Sequence, residues 1–315
     1  MFAGTLGASA PLIIDTDAGL DDLMAIAFLL AHQPATRIEA ITTANGLAHT
    51  DRGAFNILRL LTLAGNRDTR VFAGKPTPLE GAREFPRDWR ELADQLPGVQ
   101  MPSPTRRVDD RNAVDYLIER LRDPKRPVKI LALGPLTNLG EALRRAPASV
   151  HAIEEIVIMG GALGVPGNLA DGGITDNRSA EWNVFIDPRA ARIVFASGVN
   201  IRLVPLDATR RVPIDTTFLA ELHNTDTPLG AFVGQILELA RGDIERGVYQ
   251  AWDPLAAVAF IHPAVLRKLT RTAIEVLPSG QIVRASRRQQ NISAALDADP
   301  ARFRRIFLQA WRAPR

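Results

Sequence analysis

Eight residues near the N-terminus, Asp15-Thr16-Asp17-Ala18-Gly19-Leu20-Asp21-Asp22, carry four carboxylates. Like charges held this close raise one another's pKa values, so folding does not gather them without a compensating cation or hydrogen-bond donors. Asp21 and Asp22 suit a helix N-terminus, where acidic groups complement the macrodipole. Asp15 and Asp17 remain, at the end of an apolar run, where an open α/β sheet places its ligand. Gly19 is expected to supply the tight turn that lets Asp17 and Asp22 converge. An all-oxygen donor set selects a hard cation, Ca²⁺ or Mg²⁺, over zinc.

Three further segments offer polar groups. Gly134-Pro135-Leu136-Thr137-Asn138 follows another apolar run. It reads as a turn with Thr137 capping a helix, and such a turn also frees the Leu133 carbonyl to face a ligand. Trp252-Asp253-Pro254 is a further candidate, though an Asp before Pro often only initiates a turn. In Ala180-Glu181-Trp182-Asn183, an extended backbone would put Glu181 and Asn183 on one side, able to grip two hydroxyls or simply to face water.

These segments need elements to position them. Short apolar runs at Pro11–Ile14, Arg37–Thr43, Val128–Leu133, Glu155–Met159 and Ile201–Leu206 read as strands. They alternate with helical patterns at Leu20–Ala31, Asp51–Leu63, Val114–Leu121, Leu139–Arg145 and Arg189–Ala196. The alternation predicts a single α/β domain, residues 1–315, with an open, mostly parallel sheet and helices on both faces. Lys75–Pro104, with six prolines, Leu163–Arg178 and Ala208–Thr227 break the rhythm and read as long irregular loops. Phe303, Ile306, Phe307, Ala310 and Trp311 fall at the spacing of a core-facing terminal helix.

Composition narrows the field. Of 315 residues 46% are hydrophobic and 23% charged, enough for a buried core. Lys and Arg number 38 against 35 Asp and Glu, without a clustered basic face, which argues against nucleic-acid binding. The absence of Cys excludes disulfides, thiolate metal sites and a thiol nucleophile. Neither a signal-peptide pattern nor a membrane-length apolar run is visible, so a cytoplasmic protein with no membrane partner is expected.

Taken together, the aspartate-rich opening, Gly-Pro-Leu-Thr-Asn, Met159-Gly160-Gly161, Ala-Glu-Trp-Asn and Trp-Asp-Pro resemble, in content and order, the nucleoside hydrolase family of inosine-uridine-preferring N-ribohydrolases. The likeness runs from Ile13 to the C-terminal helix and implies a Rossmann-type core. It implies that Asp17, Asp22, Asp253 and the Leu133 carbonyl hold Ca²⁺, and that Asp17 is the general base for a water. Asp21, Asn183 and Asp253 would take the 2′- and 3′-hydroxyls of a ribonucleoside, with Asn45 beside the water and ribose. Glu181, the Met159 region and either Asn168 or Asn177 would address the 5′ end. Asp15 would brace the aspartate loop. A homo-oligomer, dimer or tetramer, is implied as well.

The chain departs from the family pattern in three places. Trp252 stands where many relatives have a His that protonates the departing base; its indole could stack on a nucleobase or belong to the core. A His-Gly segment is replaced by Glu84-Phe85-Pro86-Arg87-Asp88-Trp89-Arg90, in which Trp89 could form a second stacking wall or anchor the loop. The stretch before Glu181 is longer, and its Asp171–Asp176 could form a lid. Ala18 replaces a common Pro, a change expected to be tolerated because Gly19 still makes the turn. The expectation is Ca²⁺-dependent hydrolysis of ribonucleosides with a lean towards purines. Two other readings stand beside it. One is a ribose-binding module without turnover. The other is an aspartate-nucleophile phosphatase, which would need a Lys near a strand end, where Lys75, Lys125, Lys129 and Lys268 do not stand.

Overall fold

A computed structural model describes residues 10–32, 36–223, 225–285 and 291–312. Strand β1 (Leu12–Thr16) leads into helix α1 (Leu20–Ala31), and β2 (Ile38–Thr43) into α2 (Thr50–Leu63). After β3 (Arg70–Ala73) come α3 (Arg87–Gln95) and α4 (Ala113–Arg120), then β4 (Val128–Ala132), α5 (Thr137–Arg145) and β5 (Ile153–Met159). Helices α6 (Trp182–Ile186) and α7 (Pro188–Phe195) precede β6 (Ile201–Val204). Five helices follow: α8 (Leu206–Thr209), α9 (Thr216–Leu222), α10 (Pro228–Leu239), α11 (Arg241–Glu245) and α12 (Trp252–Ile261). Strands β7 (Leu266–Thr272), β8 (Ile274–Val276), β9 (Ile282–Arg284) and β10 (Ile292–Ala298) and helix α13 (Pro300–Gln309) complete the chain.

Eight strands form one sheet in the order β3-β2-β1-β4-β5-β6-β10-β7, parallel throughout except for β7, which runs antiparallel to β10. Strands β8 and β9 pair separately as a hairpin. Side chains alternate between two cores, as a pleated sheet requires. Leu12, Ile14, Leu131 and Val157 pack with α1, α2, α12 and α13 on one face. Ile13, Ile130, Ile156 and Ile158 pack with α4, α5 and α7 on the other. Burial on both faces explains why these strands read as unbroken apolar runs.

Two of the three irregular stretches are more ordered than the composition suggested. Lys75–Pro104 contains α3, which follows the helical period at Trp89, Leu92 and Ala93 but is masked in sequence by the prolines around it, and Ala208–Thr227 contains α9 and the end of α8. Leu163–Arg178 holds only a short 3-10 turn, Leu169–Gly172. The terminal helix buries Phe303 and Phe307, with Trp311 just beyond it buried as well, while Ile306 is partly exposed.

The order β3-β2-β1-β4-β5-β6 reverses direction between β1 and β4. At that switch point the loops leaving the two strands diverge, and a crevice opens at their carboxyl ends. The loop after β1 carries Asp17, and the loop after β4 begins at Leu133.

Candidate active site

The aspartate loop is shaped by close contacts. Ala18 takes the left-handed conformation, with φ 56°, while Gly19 has an ordinary φ of −67°. The turn therefore does not depend on Gly19's conformational freedom, and a proline ring, fixed near −65°, could not adopt the Ala18 geometry. Gly19 is needed for space, because a Cβ there would meet Leu47 Cδ1 at 2.4 Å. Gly46 and Gly134 likewise press on Asp17, the former so closely that a Cβ would lie 2.0 Å from Asp17 Oδ2.

Asp22 caps its own helix, accepting from the backbone N–H of Asp17 at 3.2 Å and of Gly19 at 3.1 Å, and from the Thr16 hydroxyl. Asp17 Oδ2 accepts from Leu47 N at 2.8 Å. Asp15 lies behind them and accepts from Thr42 Oγ1 at 2.6 Å and Asn138 Nδ2 at 2.8 Å, contacts that tie the strand end to its neighbours. Helix α12, packed on α1, points its first turn at the same spot and delivers Asp253. Oxygens of Asp21, Asp22 and Asp253 all come within 4.8 Å of one another, so Asp21 joins the acidic cluster as closely as its neighbours.

Electrostatics follow from this crowding. Burial, then the Asp22 charge, pushes the Asp17 carboxyl well above its ordinary value, and the same two causes act on Asp253. Burial and Asp22 push Asp21 up to about 7, and burial pushes Asp15 up to about 6 against its hydrogen bonds to Asn138 and Thr42. Asp253 Oδ1 is buried without a hydrogen-bond partner. A hard dication fits this donor set: it would meet the orphaned oxygen and remove the repulsion.

Above this floor is a cavity of about 390 Å³. Asp17, Asp21, Asp22, Leu133, Met159, Asn168, Glu181, Asn183, Trp89, Trp252 and Asp253 all line it. Asn45 and Asn177 do not. Asn45 sits in the loop around Asp17, its Oδ1 accepting from Arg90 Nη2 at 3.0 Å. Asn177 Oδ1 accepts from Ser179 N and Ala180 N, and its Nδ2 donates to Ser279 O at 2.8 Å. Those bonds hold it in a turn outside the cavity, so of the two asparagines considered for the 5′ end the cavity contains Asn168.

The Glu181 segment differs from the extended reading. Glu181 is the N-cap of α6, accepting from Asn183 N, Val184 N and Gly161 N, so its carboxylate organises three backbone donors. Burial pushes its pKa up against those bonds. Asn183 Nδ2 donates to the carbonyls of Leu133, at 2.8 Å, and Met159, at 3.2 Å. Its Oδ1 has no partner among the described residues. Thr137 is not a cap: Leu136 holds the N-cap position, and the Thr137 hydroxyl donates to Asp187 at 2.8 Å.

Aromatic groups form the wall. Phe85 stacks on Trp182 at 4.8 Å and Trp89 meets Trp182 edge-on at 5.8 Å, while Tyr249 meets Trp252 edge-on at 5.1 Å. Sequence reasoning singled out Trp89 and Trp252 but missed Tyr249, whose buried hydroxyl has no partner. Its place three residues before Trp252 was the available signal. Phe85, Trp182 and the pair Asp243–Arg246, ion-paired at the mouth, also went unassigned. Among the described residues none that lines the cavity is His or Lys, and the one cation there, Arg246, is engaged with Asp243. A phosphatase therefore lacks its phosphate-holding lysine here.

An acidic floor at the switch point of a parallel sheet, beneath flat aromatic faces, defines an α/β enzyme suited to a diol-bearing sugar that gains positive charge and departs from a planar group. Comparison with known proteins specifies the class further. Residues 12–305 match the family model for inosine-uridine preferring nucleoside hydrolase. Uridine nucleosidase 1 of Arabidopsis thaliana is 35% identical over 264 residues, covering 82% of this chain and 76% of that protein. The pyrimidine-specific ribonucleoside hydrolase RihA of Shewanella sp. (strain ANA-3) is 36% identical over 269 residues, 82% of this chain and 79% of its own. A solved plant nucleoside hydrolase superposes with a TM-score of 0.84 at 29% identity, covering 97% of this chain and 99% of that one. A purine-preferring ribonucleoside hydrolase from Gardnerella vaginalis gives 0.82 at 25%, covering 95% and 97%. The chain belongs to the inosine-uridine preferring nucleoside hydrolase family. It is a nucleoside N-ribohydrolase, an enzyme that cleaves the N-glycosidic bond of ribonucleosides. Among the described residues no helix is long and apolar enough to cross a membrane.

Proposed function

We propose that this enzyme is calcium-dependent and favours purine ribonucleosides. Asp17, Asp22, Asp253 and the Leu133 carbonyl would hold the ion, which when bound offsets the carboxylate charge and makes a water more acidic. Asp17 serves as general base for that water. Asp21, Asp253 and the free Oδ1 of Asn183 accept from the ribose hydroxyls, and Asn168, beside the Glu181 cap and Met159, addresses the 5′ end. As the bond to the base breaks, positive charge grows on the sugar and the carboxylate floor stabilises it more than it stabilises the substrate. The observation that carries the calcium reading is the buried, unpartnered Asp253 Oδ1 within a cluster of acids.

The purine preference rests on Trp89 and Trp252, both lining the cavity and each offering a broad face to a bicyclic base. The uridine and pyrimidine names of the relatives above favour the opposite preference. A panel of inosine, adenosine, guanosine, uridine and cytidine, scored for free ribose with and without a calcium chelator, separates the two. Faster turnover of uridine and cytidine would overturn the purine preference, and activity indifferent to chelation would overturn the calcium requirement. Nucleoside binding without ribose release would leave a binding module. The same assay, followed by gel filtration, tests the expected dimer or tetramer, and fractionated cells test the cytoplasmic location.

A further inference from the structure

Arg90, on α3, is 5% exposed, and the roles assigned above make no use of it. A guanidinium taken out of water is costly unless its donors are met. Here they are only partly met. Nη1 lies 3.2 Å from Oε1 of Glu84, a side chain that is mostly in solvent, and Nε has no partner. The remaining arm, Nη2, donates to Asn45 Oδ1 at 3.0 Å. A guanidinium can only donate, so it fixes which end of the Asn45 amide it faces; a flipped amide would oppose N–H to N–H. The Nδ2 group must then point elsewhere, and among the described residues nothing accepts from it. Asn45 is itself 2% exposed, and the residues that follow it enclose Asp17: Leu47 N donates to Oδ2, and Gly46 leaves no room for a side chain beside that oxygen.

We propose that Arg90 is a positioning residue that locks the Asn45 amide with its NH₂ group towards the Asp17 end of the cavity, where it donates to the water that Asp17 deprotonates. A donor held in one orientation fixes the water's lone pairs relative to the sugar, and such alignment acts on turnover rather than on substrate affinity. The inference rests on the hydrolase reading above and extends it to a residue outside the cavity wall.

Five variants test it, assayed on the best nucleoside of the panel. Arg90→Met removes a buried charge whose ion partner is solvated, so it should fold, shifting Tm by only a few degrees. It should lower kcat about 30-fold with KM within about twofold. Arg90→Lys keeps a donor and should recover most of that loss. Asn45→Asp keeps, even strengthens, the contact with Arg90 but removes the Nδ2 donor, and should lose kcat as Arg90→Met does. The double variant Arg90→Met, Asn45→Ala should be no slower than Asn45→Ala alone within about threefold, because the two act as one unit. Calcium affinity, read by titration calorimetry, should stay unchanged in all of them. Wild-type kcat in Arg90→Met or Asn45→Asp, a loss confined to KM, additive losses in the double variant, or weakened calcium binding would each overturn the proposal. An active wild type with an indifferent Arg90 removes this inference alone; a wild type inert on every nucleoside removes the hydrolase reading with it.

Discussion

The floor and the wall of the cavity are built in different ways. The floor comes from strand ends and the first turns of α1 and α12, and its carboxylates are at most partly exposed, several of them 1–2% exposed and hydrogen-bonded to backbone. The wall comes from α3, the α6 segment and the chain around Tyr249 and Trp252, joined mainly by ring contacts. A carboxylate displaced by an ångström loses its ligand, whereas an aromatic face tolerates small shifts. On the proposed reading, the acidic floor carries the chemistry that every nucleoside shares, and the aromatic wall carries the choice of base.

If that division is right, floor substitutions should damage all substrates equally and wall substitutions should damage them unequally. The largest effect is expected from Asp17→Asn, which keeps the shape and removes the base: ribose release should fall about 10³-fold or more on every nucleoside, with an unchanged circular dichroism spectrum. Near-normal activity would remove Asp17 as the base.

Chelation comes next. Asp21, raised to about 7 in the fold against 3.8 unfolded, binds its proton more tightly when folded. A group of this kind contributes stability that is full below the unfolded value and is lost as pH rises through the folded one. The chelated protein should therefore lose Tm between about pH 4 and pH 7, with Asp17 and Asp253 extending the fall above that range. Added calcium should restore Tm most at the alkaline end. A Tm that rises across this window in chelator would contradict the crowded floor.

The smallest effect sharpens the contrast. Trp252→Ala should cost about tenfold more on purine than on pyrimidine nucleosides, and Trp89→Ala should act in the same direction but less, since it stands on α3 rather than beside Asp253. Equal losses on both substrate classes would make these rings packing groups and erase the distinction between floor and wall.

Much of the floor was legible because its parts are local. Asp15 to Asp22 are contiguous, the apolar run before them is a doubly covered strand, and the α1 range Leu20–Ala31 read from periodicity is the one observed. Helix α3 went unread although Trp89, Leu92, Ala93 and Leu96 follow the helical period, because it lies in a stretch of six prolines, and its place is set by contacts with distant residues, Asn56 Nδ2 on the Ala93 carbonyl and Arg90 on Asn45. Strand β7 escaped for a related reason, since it is an edge strand, mostly exposed and rich in charge.

By itself the sequence determined the alternating α/β architecture and the acidic loop, because propensity, periodicity and charge density act over a few residues. Tertiary structure alone decided that Asp21 joins Asp22 and Asp253, that Asn168 rather than Asn177 reaches the cavity, and that Gly19 is needed for space while Ala18 makes the turn. Those outcomes depend on which strands lie adjacent and which helices cross them, and separations of a hundred residues along the chain carry no local signal of it.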